Sequence, residues 1–528
     1  MTKTAWQATR LPKFAPLKRN AEFDVVVVGG GITGLSAAFF LKQAGKKVCV
    51  VERNRLTSGD TGCTTAHLTY VTDSRLSELV KKFGDRATRL FWLAGETAIN
   101  AIEAISANHA IDCEFQRIPG FLHAAWHGKK DETATLEAEA NKARELGFDA
   151  QFVPRAPLAN RPAIRLSNQA KFHPLKYLAG LAKLVDGDGC RIVEETEVTG
   201  VEDDPLVVKC GKLAIECDDV IVATHVPLMG KSGLASATIL QAKLYPYSSY
   251  AVRAKAPAGS LPVASFWDTS NPYYYLRVDR APKFDYVIFG GADHKTGQAG
   301  NENDAFEDVV KTLHEIVPSA VVDCRWSAQV IETNDGLPYI GTTTEHQFIA
   351  TGFAGNGITL GTTAGIMARD AVLGRANPWS ELFAPQRTKA FGGTWRALKE
   401  SIDYPFYYLK DRVAPAEGTS TRDLKPGEGK ILRLGGERVA ASRDSDGKVL
   451  QVSPYCTHMG CLVHWNQAEK TWDCPCHGSR FKPDGSVQAG PAEAPLDRIR
   501  KQAAVRKPAG KPKKPAPRKV SPSSKARR

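Results

Sequence analysis

Two stretches of the chain hold residue types whose spacing could do chemistry. Residues 456–461 read CTHMGC, twelve residues follow, and 474–479 read CPCHGS. Cys456 with His458 and Cys474 with His477 offer two thiols and two imidazoles on adjoining loops, a donor set that zinc or iron would accept. The C-x-H step from Cys456 to His458 is shorter than zinc ligands usually keep. Four of the eleven cysteines fall between 456 and 476, and the other seven are scattered before residue 420. That is too few for a disulfide scaffold; such crowding points to metal or redox chemistry. The second stretch, 24–52, reads DVVVVGGGITGLSAAFFLKQAGKKVCVVE. A valine run, glycines at 29, 31 and 34, an apolar stretch to Leu41, a stop at Gly45 and a β-rich run ending in Glu52 make a complete βαβ unit. The first glycine permits a tight turn, the second lets the backbone approach a pyrophosphate, and the third lets helix and strand pack closely. The helix start turns free N–H groups and a positive dipole toward phosphates, and Glu52 would accept hydrogen bonds from a ribose diol. These residues alone do not separate FAD from NAD.

Other elements must position these groups. Buried-strand patterns recur at 218–225 (DDVIVATH) and 346–357 (HQFIATGFAGNG), the latter running into a second glycine loop and a helix. Residues 240–290, rich in aromatic and β-branched side chains with prolines at bends, predict an antiparallel sheet forming a lobe over roughly 230–330. Helices are predicted over 86–106 and 131–147. Residues 388–420 form an aromatic connector (Phe391, Trp395, Tyr404, Phe406, Tyr407, Tyr408), whose rings are expected to pack onto a neighbour. Residues 421–505 are a compact, Gly-rich β-type segment. No internal repeat is present.

With GDTGCTTAHL at 59–68, DGLPYIG at 335–341 and FIATGFAGNGITLGTTAG at 348–365, residues 22–375 resemble the D-amino-acid oxidase and glycine oxidase family of flavoproteins. The resemblance implies FAD. It assigns Gly29, Gly31, Gly34, Glu52 and Arg53 to the ADP half, and sets Thr61, Thr64 and Thr65 near the pyrophosphate or ring. Gly355, Asn356, Gly357 and Ile358 fall near the flavin, and Val198 matches the position whose backbone meets adenine. In amine-oxidising members an arginine ahead of D-G-x-P-x-I-G grips the substrate carboxylate. Here WSAQVIETNDGLPYIG puts Val330 in that place, and valine cannot form the bidentate pair. Candidates for the substrate cavity are Tyr245, Tyr247, Trp267, Tyr274 and Arg277, with His294; no general base stands out.

Residues 421–505 closely resemble the Rieske [2Fe-2S] domain, in which two Cys hold one iron and two His the other. The resemblance makes Cys456, His458, Cys474 and His477 the ligands and joins Cys461 to Cys476 in a disulfide between the cluster loops. Ser479 matches a residue that hydrogen-bonds a cluster sulfide, and Phe481 stands where high-potential members carry a tyrosine. Loss of that hydroxyl implies a potential in the lower half of a range of roughly −150 to +300 mV. The expected architecture is α/β plus β: a Rossmann-type FAD-binding domain over 21–387 with an inserted antiparallel-sheet substrate lobe, then a small all-β Rieske domain.

A flavin takes two electrons and a [2Fe-2S] cluster passes one at a time. The expected activity is a dehydrogenase in which a small amine, amino acid or hydroxy compound reduces FAD and the cluster hands electrons singly to a protein or quinone acceptor. Two other readings are an oxygen-using oxidase with a structural or sensing cluster and a non-catalytic electron-transfer or regulatory module. A ring-hydroxylating oxygenase needs a mononuclear iron held by two His and a carboxylate, and the histidines show no such grouping. The net charge of +13 does not argue for nucleic acid: residues 506–528 hold ten Lys or Arg and residues 1–20 hold five, with no acid in either, leaving −2 for residues 21–505. Both ends are expected to lie outside the folded body. The tail's KPKKPAPRK lacks the aromatics and motifs of base recognition, although a basic arm could touch an acidic partner or anionic lipid. With no apolar run long enough to span a bilayer and no secretion-type leader in the first twenty residues, a cytoplasmic location is expected.

Overall fold

The computed structural model describes residues 4–227, 240, 243–344, 346–387 and 403–499. The run Val25–Val28 is buried at every position because both faces of its sheet are covered. It lies inside a six-stranded sheet ordered Tyr339–Thr344, Gln347–Thr351, Asp219–Val222, Val25–Val28, Val48–Val51, Arg191–Val193. All its neighbours pair in parallel except the first two strands. Val25 and Val27 pack with Leu35 of the helix Ile32–Gln43 and Leu360 of the helix Gly357–Val372. Val26 and Val28 meet Val201, Val208 and Ile215 of a small four-stranded sheet on the opposite face.

The predicted lobe is built on three long strands, Leu244–Pro257, Phe284–Lys295 and Val321–Thr333, with Ser265–Asp268 and Tyr275–Arg280. Its sheet reaches beyond 230–330 and recruits Gln116–His123, Ala163–Lys171 and His67–Leu68, with Ala150–Val153 beside them. QRIPGFLH at 116–123 carries a proline and a glycine and lacks clean alternation, so nothing in its pattern announces a strand. The two predicted helices are Leu76–Asn108 and Thr133–Glu145, the first interrupted at Gly84 by a left-handed backbone turn (φ 79°).

The basic N-terminal segment is not outside the body. Trp6 is buried and its indole N–H donates to the Thr64 carbonyl (2.7 Å). The Phe14 N–H donates to the buried Glu194 carboxylate (2.8 Å) and the Leu17 N–H to Thr196 Oγ1 (3.1 Å). One tryptophan and a few backbone donors anchor a segment whose overall composition looks solvated. The C-terminal tail expectation lies outside the described residues, as do Phe391 and Trp395 of the connector. Of the connector's described residues, Asp403–Val413 form a helix, and Tyr407 and Tyr408 pack on the C-terminal core, while Phe406 is 57% exposed.

That core joins a three-stranded sheet (Gly429–Leu434, Glu437–Arg443, Val449–Val452) to a four-stranded one (His464–Asn466, Thr471–Asp473, Arg480–Phe481, Val487–Ala489). Trp472 and Phe481 lie at its centre with the four clustered cysteines. Because Trp6 is a buried anchor beside the Thr64 loop, Trp6→Ala is expected to cost about 3 kcal/mol. A lowered urea midpoint would register it, and an unchanged midpoint would show the segment to be superficial.

Candidate active site and cluster site

Two confluent cavities run through the N-terminal part, of about 350 and 1160 Å³, and both are lined by Gly31, Asp60, Thr61, Ala223 and His225. The smaller is walled by Gly29 to Gly31, Glu52, Arg53 and Val198. Glu52 holds the strand-to-helix turn by accepting from the Gly30 N–H (2.8 Å) and the Asn54 N–H (2.8 Å). Gly34 lines neither cavity; a Cβ there would sit 1.9 Å from the Gly29 carbonyl oxygen, so its absence lets the helix seat against the turn. Thr61, Thr64 and Thr65 line the larger cavity, with Gly355, Asn356, Gly357 and Ile358 across from them. The second glycine loop is fixed by Asp73, whose carboxylate accepts from the Gly355 N–H (2.9 Å) and the Tyr273 hydroxyl (2.9 Å). Asn356 Nδ2 donates to the Val71 carbonyl (2.9 Å). A long cleft with glycine backbone at both ends and an acid at the sugar position fits a flavin dinucleotide.

At the substrate end only Tyr247 and Trp267 of the six candidates line the cavity. His294 sits on a strand, and Tyr274 in the extended lead into one, where their neighbours Tyr273, Tyr275, Asp293 and Lys295 face the cavity, and alternation turns them the other way. Tyr274 stacks on Phe289 and hydrogen-bonds to Asp308, and His294 Nε2 meets the Tyr250 hydroxyl (2.8 Å). Tyr245 is buried at 1% exposure without reaching the cavity wall. Arg277 pairs with Asp279 (2.6 Å) and donates to the Ala66 carbonyl (2.5 Å), so it braces the loop behind Thr65. Val330 does lie in the wall, and among the described residues no free arginine replaces the missing one. Arg75, the arginine lining this cavity, is engaged by Glu139 (2.7 Å) and Glu132 (3.8 Å).

The group that sequence reading missed is Asp293. Its Oδ1 is buried with no hydrogen-bond partner among the described residues. Burial, with the charges of Asp73 and Glu332 nearby, pushes its carboxyl up to about 7 against a hydrogen bond from Ser249. The G-G-A-D-H-K stretch gives no sign of which side chain faces inward until register is known.

In the C-terminal domain, Cys456 and Cys474 are buried and hydrogen-bond to one another, which lowers the Cys456 thiol to about 7. His458 and His477 stand edge to face with ring centroids 4.8 Å apart. The Nδ1 of His458 is buried with no hydrogen-bond partner among the described residues. Burial lowers both imidazoles, His477 to about 4, so both are neutral and able to ligate near pH 7. Cys461 and Cys476 are joined as a disulfide beside this set. Two thiols and two neutral imidazoles converging from two loops suit a [2Fe-2S] cluster held by both residue types.

The cluster loops dock on the lobe at the flavin cavity. Gln329, a cavity-lining residue, donates through Nε2 to the Gly478 carbonyl (2.8 Å), next to His477, and its own N–H donates to Asp60 (2.8 Å). Gln298 Nε2 donates to the Pro475 carbonyl (2.9 Å), and His464 Nδ1 lies 3.1 Å from the Gly297 carbonyl oxygen. The Gln467 N–H donates to Glu302 (3.3 Å).

Residues 24–371 match the DAO family, FAD dependent oxidoreductase, and residues 417–501 match the Rieske [2Fe-2S] domain. The chain belongs to the DAO family of FAD-dependent oxidoreductases. It binds FAD in that domain and carries a Rieske [2Fe-2S] domain after it. The Bacillus subtilis "Putative Rieske 2Fe-2S iron-sulfur protein YhfW" is 33% identical over 94% of this chain and 97% of its own length. Gamma-glutamylputrescine oxidoreductase of Escherichia coli is 26% identical over 78% of this chain and 98% of its own. Glycine oxidase from Geobacillus kaustophilus superposes with a TM-score of 0.57 at 20% identity, covering 70% of this chain and 99% of that one. Among the described residues no helix is long and apolar enough to cross a membrane.

The disulfide closes a segment with a sequence separation of 15. Replacing Cys461 and Cys476 together by serine is expected to cost about 3 kcal/mol, read as loss of the cluster's visible absorbance at a lower temperature. Loss at the wild-type temperature would show that the cluster alone holds the loops.

Proposed function

We propose that the protein is a dehydrogenase for a small cationic amine and passes the electrons singly through its cluster to an external acceptor. The observation that carries the relay is the Gln329 bridge. One residue of the flavin cavity wall hydrogen-bonds to the backbone beside His477, so the two redox sites share a wall. FAD bound in this cleft would supply hydride acceptance, two electrons at once, and a [2Fe-2S] cluster would supply one-electron delivery. Cys456, His458, Cys474 and His477 would hold that cluster, and Gly29, Gly31, Glu52, Arg53 and Val198 would line the ADP half.

The substrate class follows from the cavity's charges. Asp60, Asp73, Glu78, Asp268, Asp293 and Glu332 line it against two cations, Lys295 and an arginine engaged elsewhere, so acids predominate, and Val330 offers no charge. A substrate carboxylate finds no bidentate partner there, whereas an ammonium group finds Asp293. The carboxylate can bind the ammonium and then accept one of its protons, leaving the neutral amine from which hydride departs. Tyr247, Trp267, Tyr273 and Tyr275 supply the apolar walls that exclude water around it. The similarity to gamma-glutamylputrescine oxidoreductase, whose name specifies an amine derivative, supports this class.

The sign of the pH effect is fixed by Asp293. Its carboxyl titrates near 7, so it is charged only above that pH. KM for an amine is therefore expected to fall as pH rises through 7, and Asp293→Asn should raise KM at least about tenfold and flatten the profile. A steep profile retained in the variant would assign it to another group.

The relay is tested by anaerobic mixing with an amine, following flavin bleaching optically and the reduced cluster by electron paramagnetic resonance. Gln329→Leu removes one buried hydrogen bond worth about 1 kcal/mol. It breaks the bridge between the two sites and should slow cluster reduction relative to bleaching while leaving bleaching itself unchanged. A cluster that stays oxidised while wild-type flavin bleaches would refute the relay.

A further inference from the structure

The smaller cavity is not closed by the flavoprotein domain alone. Residues 488–494, the strand Val487–Ala489 and the loop after it, belong to the C-terminal domain, yet they line this cavity opposite Glu52, Arg53 and Val198. The same loop is tied to both cluster loops. The Ala492 N–H donates to Ser479 Oγ (3.1 Å), and Ser479 hydrogen-bonds in turn to the Cys456 sulfur. Thr457 Oγ1 donates to the Ala494 carbonyl (2.6 Å). Gly490 lies against the other loop so closely that a Cβ would fall 2.6 Å from Ser479 Cα and 2.7 Å from the Gly478 carbonyl oxygen.

We propose that residues 488–494 are a wall of the FAD site supplied by the Rieske domain, and that cluster assembly sets how tightly the ADP half is held. Ala489, Pro491 and Ala492 offer apolar cover to an adenosine moiety, and Glu493 is the one charged side chain of the stretch, exposed at the cavity's edge. Without the cluster, the Cys461–Cys476 disulfide still joins the two loops, but the ligand ends Cys456 and Cys474 meet through one hydrogen bond. Ser479, which accepts from the Ala492 N–H, and Thr457, which donates to the Ala494 carbonyl, are the groups that fix the wall, and they move with those ligand ends. By linkage, cluster loading raises FAD affinity and FAD occupancy raises cluster retention by the same factor.

The full-length chain tests this without turnover. The FAD dissociation constant is measured from the recovery of free-flavin fluorescence on dilution, for the wild type, for Cys456→Ser with Cys474→Ser, and for Ala494→Trp. Ala494 is exposed at the cavity mouth, so a tryptophan there crowds the dinucleotide and leaves the cluster ligands alone. The cluster-free variant should bind FAD about tenfold more weakly. Ala494→Trp should weaken FAD similarly, with the cluster's paramagnetic signal unchanged. An unchanged dissociation constant in Ala494→Trp overturns the shared wall, and an unchanged constant on cluster loss overturns the coupling.

Discussion

The arrangement of two redox sites in one chain depends on a close approach of backbone to backbone. A Cβ at Gly297 would lie 2.8 Å from the Cys474 carbonyl carbon, and one at Gly478 would lie 2.6 Å from Pro246 Cβ. Both residues have positive φ, +78° and +67°, where glycine is the residue that costs least. With glycine at both positions the cluster loop sits on the lobe's surface without intervening side chains. That closeness is what lets Gln329 span from the flavin cavity wall to the residue after a cluster ligand. A side chain at either position would push the loop outward, and the bridge would no longer reach.

The contact is specific without being strong. Four hydrogen bonds that cross it among the described residues, from Gln329, Gln298, His464 and Gln467, are each worth about 1 kcal/mol net, a few kcal/mol in total. That suffices to populate the docked arrangement overwhelmingly, since about 1.4 kcal/mol is a factor of ten. It is small against the burial that stabilises each domain. His464 ties the connector in as well, because its Nε2 meets Asp411 Oδ2 (2.9 Å) on the helix that packs under the cluster domain.

Much of this was legible in the sequence where chemistry and spacing coincide. The glycines around Val28, the acid at 52 and the CTHMGC and CPCHGS loops are local patterns, and the structure gathers them into two cavities and one convergent donor set. The substrate end was less legible because it rests on register. Which of His294 and Asp293 faces inward depends on pairing with residues some forty positions earlier, and a one-residue slip exchanges the two. Arg277, a substrate-cavity candidate by its place on the sheet lobe, does not line the cavity. Its partner turned out to be Asp279, two residues on and on the same face, together with carbonyls of the 64–66 loop. The N-terminal segment misled for a different reason. Five basic residues dominate its composition, whereas its position is decided by Trp6 and by backbone donors that composition does not reveal.

A cavity shared between domains changes what each domain is for. The parallel sheet and its first glycine loop supply phosphate-facing backbone, and the lobe supplies apolar walls and an acid. The Rieske domain covers the far side with a turn that both cluster loops hold. Each part leaves one face of the dinucleotide open. Their order along the chain therefore matters less than the docking that brings 478 against Gln329 and sets 490 in the wall of the cavity that Glu52 also lines. A cluster domain placed for electron transfer alone would need only the first of these contacts. The second, between the cluster-held turn and the ADP cavity, ties occupancy of one redox site to the shape of the other, so that a chain lacking either cofactor is disadvantaged in keeping its partner.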